Sequence, residues 1–148
     1  MATDADRDRE WMARAIRLAR RSPALPFASV IVSPTGAVLG EALNETEGRG
    51  PLWHAEIAAL DQVTRHSAPP WAALTLYTTA EPCPMCMGAI LFAGVGRVVF
   101  GTSIETLATL GWWQVRLPAS AVNHAAGSPV SLIGGVCAAD TDALFGRG

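Results

Sequence analysis

The chain is poor in charge and has no lysine: its 11 basic side chains are all arginine, and only 16% of its 148 residues are charged. With 13 acidic residues the formal net charge is −2, so no global field draws it towards nucleic acid or an anionic membrane. No apolar run is long enough to span a bilayer. Residues 1–21 lack the apolar core of a secretory signal, so the expected location is cytoplasmic. Cysteine is scarce, at three residues, which excludes a disulfide-stapled framework. No internal repeat and no low-complexity linker is present. Half of the residues are hydrophobic, the opposite of a disordered composition, and the length suits one domain over 1–148 with a real core.

The densest basic stretch is Arg7, Arg9, Arg14, Arg17, Arg20 and Arg21, interleaved with Asp4, Asp6, Asp8 and Glu10. Acids at the start and arginines at the end suit a helix dipole, so this reads as the solvated face of a first helix. Trp11, Met12, Ala15, Ile16 and Ala19 supply its apolar stripe over 8–20, and Ser22-Pro23 ends it. The runs 27–32 and 37–43 around Pro34-Thr35-Gly36 predict a hairpin. Residues 44–51 read as a loop and 54–65 as a helix. A strand over 74–78 and a turn over 79–82 follow, then a helix over 84–93 with proline in its first turn. A strand over 97–101 and a short helix over 103–110 come next. Beyond Gly111 the pattern weakens, leaving a strand over 130–133 and a helix over 137–145. A hairpin followed by alternating helices and strands implies an α/β fold. Its mixed central sheet of about five strands carries helices on both faces, and strands separated by single helices run parallel.

Two short motifs carry the chemistry. His54-Ala55-Glu56 opens one helix, and Glu81-Pro82-Cys83-Pro84-Met85-Cys86 opens the next. Cys83 and Cys86 share a helix face at the positive end of the dipole, which favours the metal-binding thiolate form. One imidazole and two thiolates can hold zinc with a fourth position open to water, the arrangement of a catalytic ion. Two thiolates leave such an ion nearly neutral, so water activation needs a carboxylate base beside it. Glu56 is the candidate, with a pKa well above that of a free glutamate. Two other readings stand beside this one: half of a structural zinc ribbon, completed from Cys137, His66 or His124, or a redox dithiol. Cys137 itself reads as a small buried hydrophobe.

The run from Leu76 to Ile90 resembles the second motif of the cytidine deaminase superfamily, and His54-Ala55-Glu56 resembles the first. The hairpin over 27–44 is similar to the one that precedes them, and the likeness covers roughly 8–111. Within the superfamily the chain looks like the branch of guanine, cytosine and tRNA adenosine deaminases. The resemblance implies that His54, Cys83 and Cys86 bind Zn2+. It also implies a zinc-bound hydroxide as nucleophile, with Glu56 shuttling protons as the amine leaves as ammonia. The backbone N–H of Ala55 or Cys83 would orient water or substrate, Asn44 would hydrogen-bond the substrate ring, and Phe27 would stack on it. Homodimers are expected on the same ground. Without the family, Asn44 is a turn residue and Phe27 a core aromatic at a strand start.

The motifs do not choose the substrate. Pro26-Phe27-Ala28 is more similar to guanine deaminases than to tRNA adenosine deaminases. The tail after Gly111 holds only Arg116 and Arg147, whereas the tRNA enzymes resembled here end in a basic, aromatic helix, so nucleic acid is not the expected partner. Trp113 stands where guanine deaminases carry an acidic residue, which speaks against guanine itself. An aromatic wall of Trp112, Trp113 and Phe92 would favour a flat, less polar heterocycle; otherwise the tryptophan pair serves the core or a dimer contact. The expectation is a hydrolytic deaminase of a free nucleobase or related amino-heterocycle, such as a purine, cytosine-like base, aminotriazine or pyrimidine. The alternatives are a tRNA-specific adenosine deaminase and a cytosine or nucleoside deaminase. A non-catalytic zinc-fold binding module would have no physical need for Glu56.

Overall fold

The computed structural model describes residues 1–146. Arg147, one of the two tail arginines, lies outside them. The elements run α1 (Asp4–Ala19), β1 (Ala28–Val32), β2 (Val38–Leu43), α2 (Thr46–Arg49), α3 (Ala55–Thr64), β3 (Thr75–Ala80), α4 (Pro84–Ala93), β4 (Arg97–Thr102), α5 (Ile104–Thr109), α6 (Ala119–Ala125), β5 (Ser131–Ile133) and α7 (Ala138–Phe145). One sheet takes the order β2-β1-β3-β4-β5. Strand β1 is antiparallel to β2 and β3, while β3, β4 and β5 run parallel. This is the mixed α/β sheet expected from the hairpin and the alternation that follows it. No helix among the described residues is long and apolar enough to cross a membrane.

Alternate residues of each strand face opposite layers. Ile31, Leu76 and Val98 pack against α3, α4 and α6, whereas Val30, Val32, Tyr77 and Val99 pack against α1 and α7. Both sheet faces are covered, which is why β1 is buried along its whole length and reads as a continuous apolar run. Gly40 of β2 is required on steric grounds. A Cβ there would meet the Ala59 carbonyl oxygen at 2.3 Å, so only glycine lets α3 lie so close to the sheet. Helix α4 stops at Gly94, whose φ of 89° closes its last turn in the left-handed region.

Three local differences from the sequence expectation have simple causes. Helix α1 begins at Asp4 rather than residue 8, because Thr3 and Asp6 form a reciprocal capping box. The turn expected over 79–82 starts later, because Ala80 still pairs with Thr102. Helix α2 interrupts the loop expected over 44–51, and α6 was not visible in its short run of small residues.

A buried ion pair locks α1 to the sheet. Arg97 of β4 donates two hydrogen bonds to Asp8, at 2.7 and 2.6 Å, and the Tyr77 hydroxyl donates a third at 2.8 Å. Burial pushes the Asp8 carboxyl up, but the bonds from Arg97 and Tyr77 and the Arg97 charge outweigh it and leave it below the usual carboxylate range.

Candidate active site

The C-terminal end of β3 and the starts of α3 and α4 meet at one edge of the sheet, where open α/β sheets place their ligands. His54 is the N-cap of α3, Cys83 is the N-cap of α4, and Cys86 lies in the first turn of α4 behind Pro84. The two helix starts bring the three side chains together. His54 Nδ1 lies 3.5 Å from Cys83 Sγ and 3.5 Å from Cys86 Sγ. Zinc–sulfur and zinc–nitrogen bonds of about 2.3 and 2.0–2.1 Å at a tetrahedral angle require an N···S separation of about 3.6 Å. The donor set therefore fits a zinc ion in both type and spacing, with the imidazole offering Nδ1. Among the described residues these three form the only cluster suited to a metal. Cys137 starts α7 on the other face of the sheet, packed with the α1 cluster, so it is no part of this set.

The electrostatics favour a metal-binding thiolate. A hydrogen bond from the Cys86 thiol, opposed by burial and aided by His54, holds the Cys83 thiol down at about 4. Cys86 is pushed up by serving as that donor, by burial and by the nearby Glu56. The bond to Cys83 raises the His54 imidazole against the effect of burial, and the charges of Cys83 and Glu56 add to the rise.

Glu56 stands apart from the three candidate ligands. It is the second residue of α3 and only 6% exposed, and Ser29 of β1 donates to its Oε1 at 3.4 Å. Burial, reinforced by the Cys83 charge, pushes its carboxyl up to about 7, against the pull of its own backbone N–H and of His54. A carboxyl with that pKa can both accept and return a proton near neutrality. Ala55 is the first residue of α3, so its N–H has no partner within the helix.

Above the cluster lies a cleft of about 210 Å³ lined by His54, Glu56 and Cys83 together with Phe27, Asn44, Trp112 and Trp113. Asn44 Oδ1 accepts from the Thr46 N–H at 3.0 Å and the Thr46 hydroxyl at 2.6 Å. These donors identify the oxygen and leave the amide NH2 as the half that can serve a ligand. Phe27 is held by Trp112 and Phe145, with ring centroids at 5.4 and 4.9 Å. Trp112 also donates from Nε1 to the Phe145 carbonyl at 2.7 Å. Phe27 and Trp112 thus line the cleft and, with Phe145, form a small aromatic core.

A model of the cytidine and deoxycytidylate deaminase zinc-binding region matches residues 5–102. The chain belongs to this deaminase family. A probable cytosine deaminase from Schizosaccharomyces pombe is 31% identical over 138 residues, which is 88% of this chain and 85% of that protein. A tRNA-specific adenosine deaminase from Bacillus subtilis is 37% identical over 101 residues, 64% of this chain and 61% of that one. A solved structure of a guanine deaminase from Nitrosomonas europaea superposes with a TM-score of 0.79 at 25% identity, over 98% of this chain and 84% of the other.

The structure of this deaminase corrects one expected wall residue. Phe92 is 96% exposed and lies on the outer face of α4, beside Trp53, Ile57 and Trp71, and it is not among the residues lining the cleft. Helix α4 turns Cys86, Met87 and Ile90 inward, and six residues past Cys86 a side chain has swung about 240° round the axis. Trp113 does line the cleft but is 85% exposed, so it stands at the mouth rather than in a wall. Leu25, Thr46, Glu81 and Gln114 also line it. Glu81 could have been noticed from its motif, where an acid directly precedes Pro82-Cys83; the other three carry no local signal.

Proposed function

We propose that this chain deaminates a free nucleobase or a closely related amino-heterocycle by hydrolysis, replacing an exocyclic amine with a carbonyl and releasing ammonia. One observation carries the reading: the cleft of about 210 Å³ ends on a buried carboxyl beside the ligand cluster. It falls below the roughly 300–1,000 Å³ of pockets that enclose drug-sized ligands, and so suits a single ring system. The guanine deaminase neighbour and the cytosine deaminase relative support the same class.

His54, Cys83 and Cys86 would hold a zinc ion, which would supply a Lewis acid that makes water nucleophilic near neutral pH. Glu56 takes one proton from the attacking water and passes it to the ring nitrogen adjoining the attacked carbon. It then takes the second proton from the oxygen now bonded to that carbon and gives it to the amine, so that the C–N bond breaks, the carbonyl forms and ammonia leaves. Ser29 steadies the Glu56 oxygen. The Asn44 NH2 donates to a ring acceptor, the Ala55 N–H orients the water or a substrate oxygen, and Phe27 with Trp112 holds the ring plane. The tRNA reading draws support from the Bacillus subtilis relative, yet the cleft lining contains no arginine, and phosphate contacts dominate RNA affinity. Zinc-loaded protein incubated with guanine, adenine, cytosine, melamine and their nucleosides is expected to release ammonia from at least one free base. Silence on all of them, with inosine formed in a tRNA anticodon loop, would decide for the tRNA reading instead.

The homodimer belongs to the same proposal. Phe92, with Leu91, Val122 and Pro129 on one side and Trp53, Ile57 and Trp71 on the other, forms an apolar strip along α3, α4 and α6. Such strips on soluble proteins are usually covered, and a second copy is the proposed cover. Sedimentation should find a dimer that Phe92→Glu converts to monomer; a parent that is monomeric at micromolar concentration would dismiss the idea.

A further inference from the structure

Glu81 is 7% exposed and sits between the last residue of β3 and the ligand Cys83. Its two carboxylate oxygens serve different helices. Oε1 accepts from the Ile104 N–H at 2.9 Å and Oε2 from the Ala119 N–H at 2.7 Å. Those are the first N–H groups of α5 and α6, which have no partner within their own helices. One acid therefore caps both helices, and a carboxylate is the only side chain that offers a charged acceptor to each.

The segment 111–118 runs between α5 and α6 and carries Trp112, Trp113 and Gln114 into the cleft lining. Its near end is fixed by Trp112, whose indole N–H and backbone N–H are bonded to Phe145 and Leu107. Its far end is fixed at Ala119 by Glu81. Trp113 shows no ring or hydrogen-bond partner among the described residues, so its place over the cleft is set by these two anchors. We propose that Glu81 is a positioning residue that holds the 111–118 wall against the ligand loop and thereby sets which ring system the cleft accepts. This rests on the nucleobase-deaminase reading.

Glu81→Gln offers one good acceptor where two backbone N–H groups need one each. With the base that the parent turns over best, the variant is expected to keep the parent's zinc content and hold kcat within about twofold. Its KM should rise about tenfold, and the parent's preference between guanine and cytosine should narrow. Amide exchange over 111–119 should quicken. A variant that melts lower with KM unchanged is merely missing a cap, and one that loses zinc acts through the ligand loop; either result overturns the proposal. If Glu81→Gln does not fold, Ala119→Pro breaks the α6 tether, removing the donor and setting the proline ring against Glu81 Oε2. Ala119 is the first residue of its helix, where proline is tolerated, and Pro118 has a ψ of 149° that accepts a following proline. The same KM rise is expected, and an unchanged KM again overturns the assignment. A parent inert on every free base would fail the function reading alone. Exchange over 111–119 would still decide the tether, with faster exchange supporting it and unchanged exchange rejecting it.

Discussion

Glu56→Gln is expected to bind one zinc per chain and to lose about 10³-fold or more in kcat. The substitution preserves shape and the contact with Ser29, so fold and ligand cluster should survive. Among the described residues it removes the one group near the cleft floor, apart from the candidate zinc ligands, that can exchange protons near neutral pH, because an amide neither accepts nor returns a proton there. General acid–base catalysis by one side chain is worth about 10²- to 10⁴-fold, and in the proposed reaction a single carboxyl serves the water, the ring nitrogen and the leaving amine in turn. Burial raises it to about 7, which matches its strength to those transfers. Ammonia release and zinc content measured on the same preparation check the claim. Full activity in the variant would remove Glu56 from the proton path.

Asp8→Ala should cost about 3 kcal/mol of folding stability at pH 7, read from the urea midpoint. The carboxylate is 6% exposed, and its partner Arg97 only 26%. Removing it strands a cation and the Tyr77 hydroxyl together between α1 and the sheet. Tyr77 is itself pushed up, by burial first and then by the hydrogen bond to Asp8. The sign of the pH dependence follows from the lowered folded pKa of Asp8. Its contribution is complete above the ordinary carboxylate range of about 4 and is lost as pH falls through the lowered folded value. The stability gap between parent and variant should therefore be widest at neutral pH and close in acid. Combining Asp8→Leu with Arg97→Met should recover part of the loss, since a fully apolar pair leaves no stranded charge. A gap that widened in acid would contradict the assignment.

The candidate metal cluster of His54, Cys83 and Cys86 was legible in the sequence because the chemistry is local. Cys83 and Cys86 sit in one turn, and His54 and Glu56 two residues apart, so residue type and spacing already limit what they can do. The mixed sheet was legible too, since the hairpin and the alternation of elements dictate it. Glu81 stands in the motif, but its partners were not legible, because they are N–H groups 23 and 38 residues away. Phe145 likewise reaches the aromatic core beside Phe27 from the far end of the chain, and no periodicity announces it. Phe92 was misplaced for a different reason. Its aromatic character suited a pocket wall, while the helical phase set by Cys86, Met87 and Ile90 sends it outward. Helix α6 was hidden by its length and composition, because its seven residues carry Val122 as their one large apolar side chain.

The division of labour between three ligands and a separate base can be tested most directly by zinc K-edge absorption of the zinc-loaded protein. Two sulfur neighbours, one imidazole nitrogen and one further light atom are expected, with the same spectrum from Glu56→Gln. A third sulfur in the parent, or a changed set of zinc neighbours in Glu56→Gln, would contradict the assignment of His54, Cys83 and Cys86 as the ligands and of Glu56 as the proton carrier.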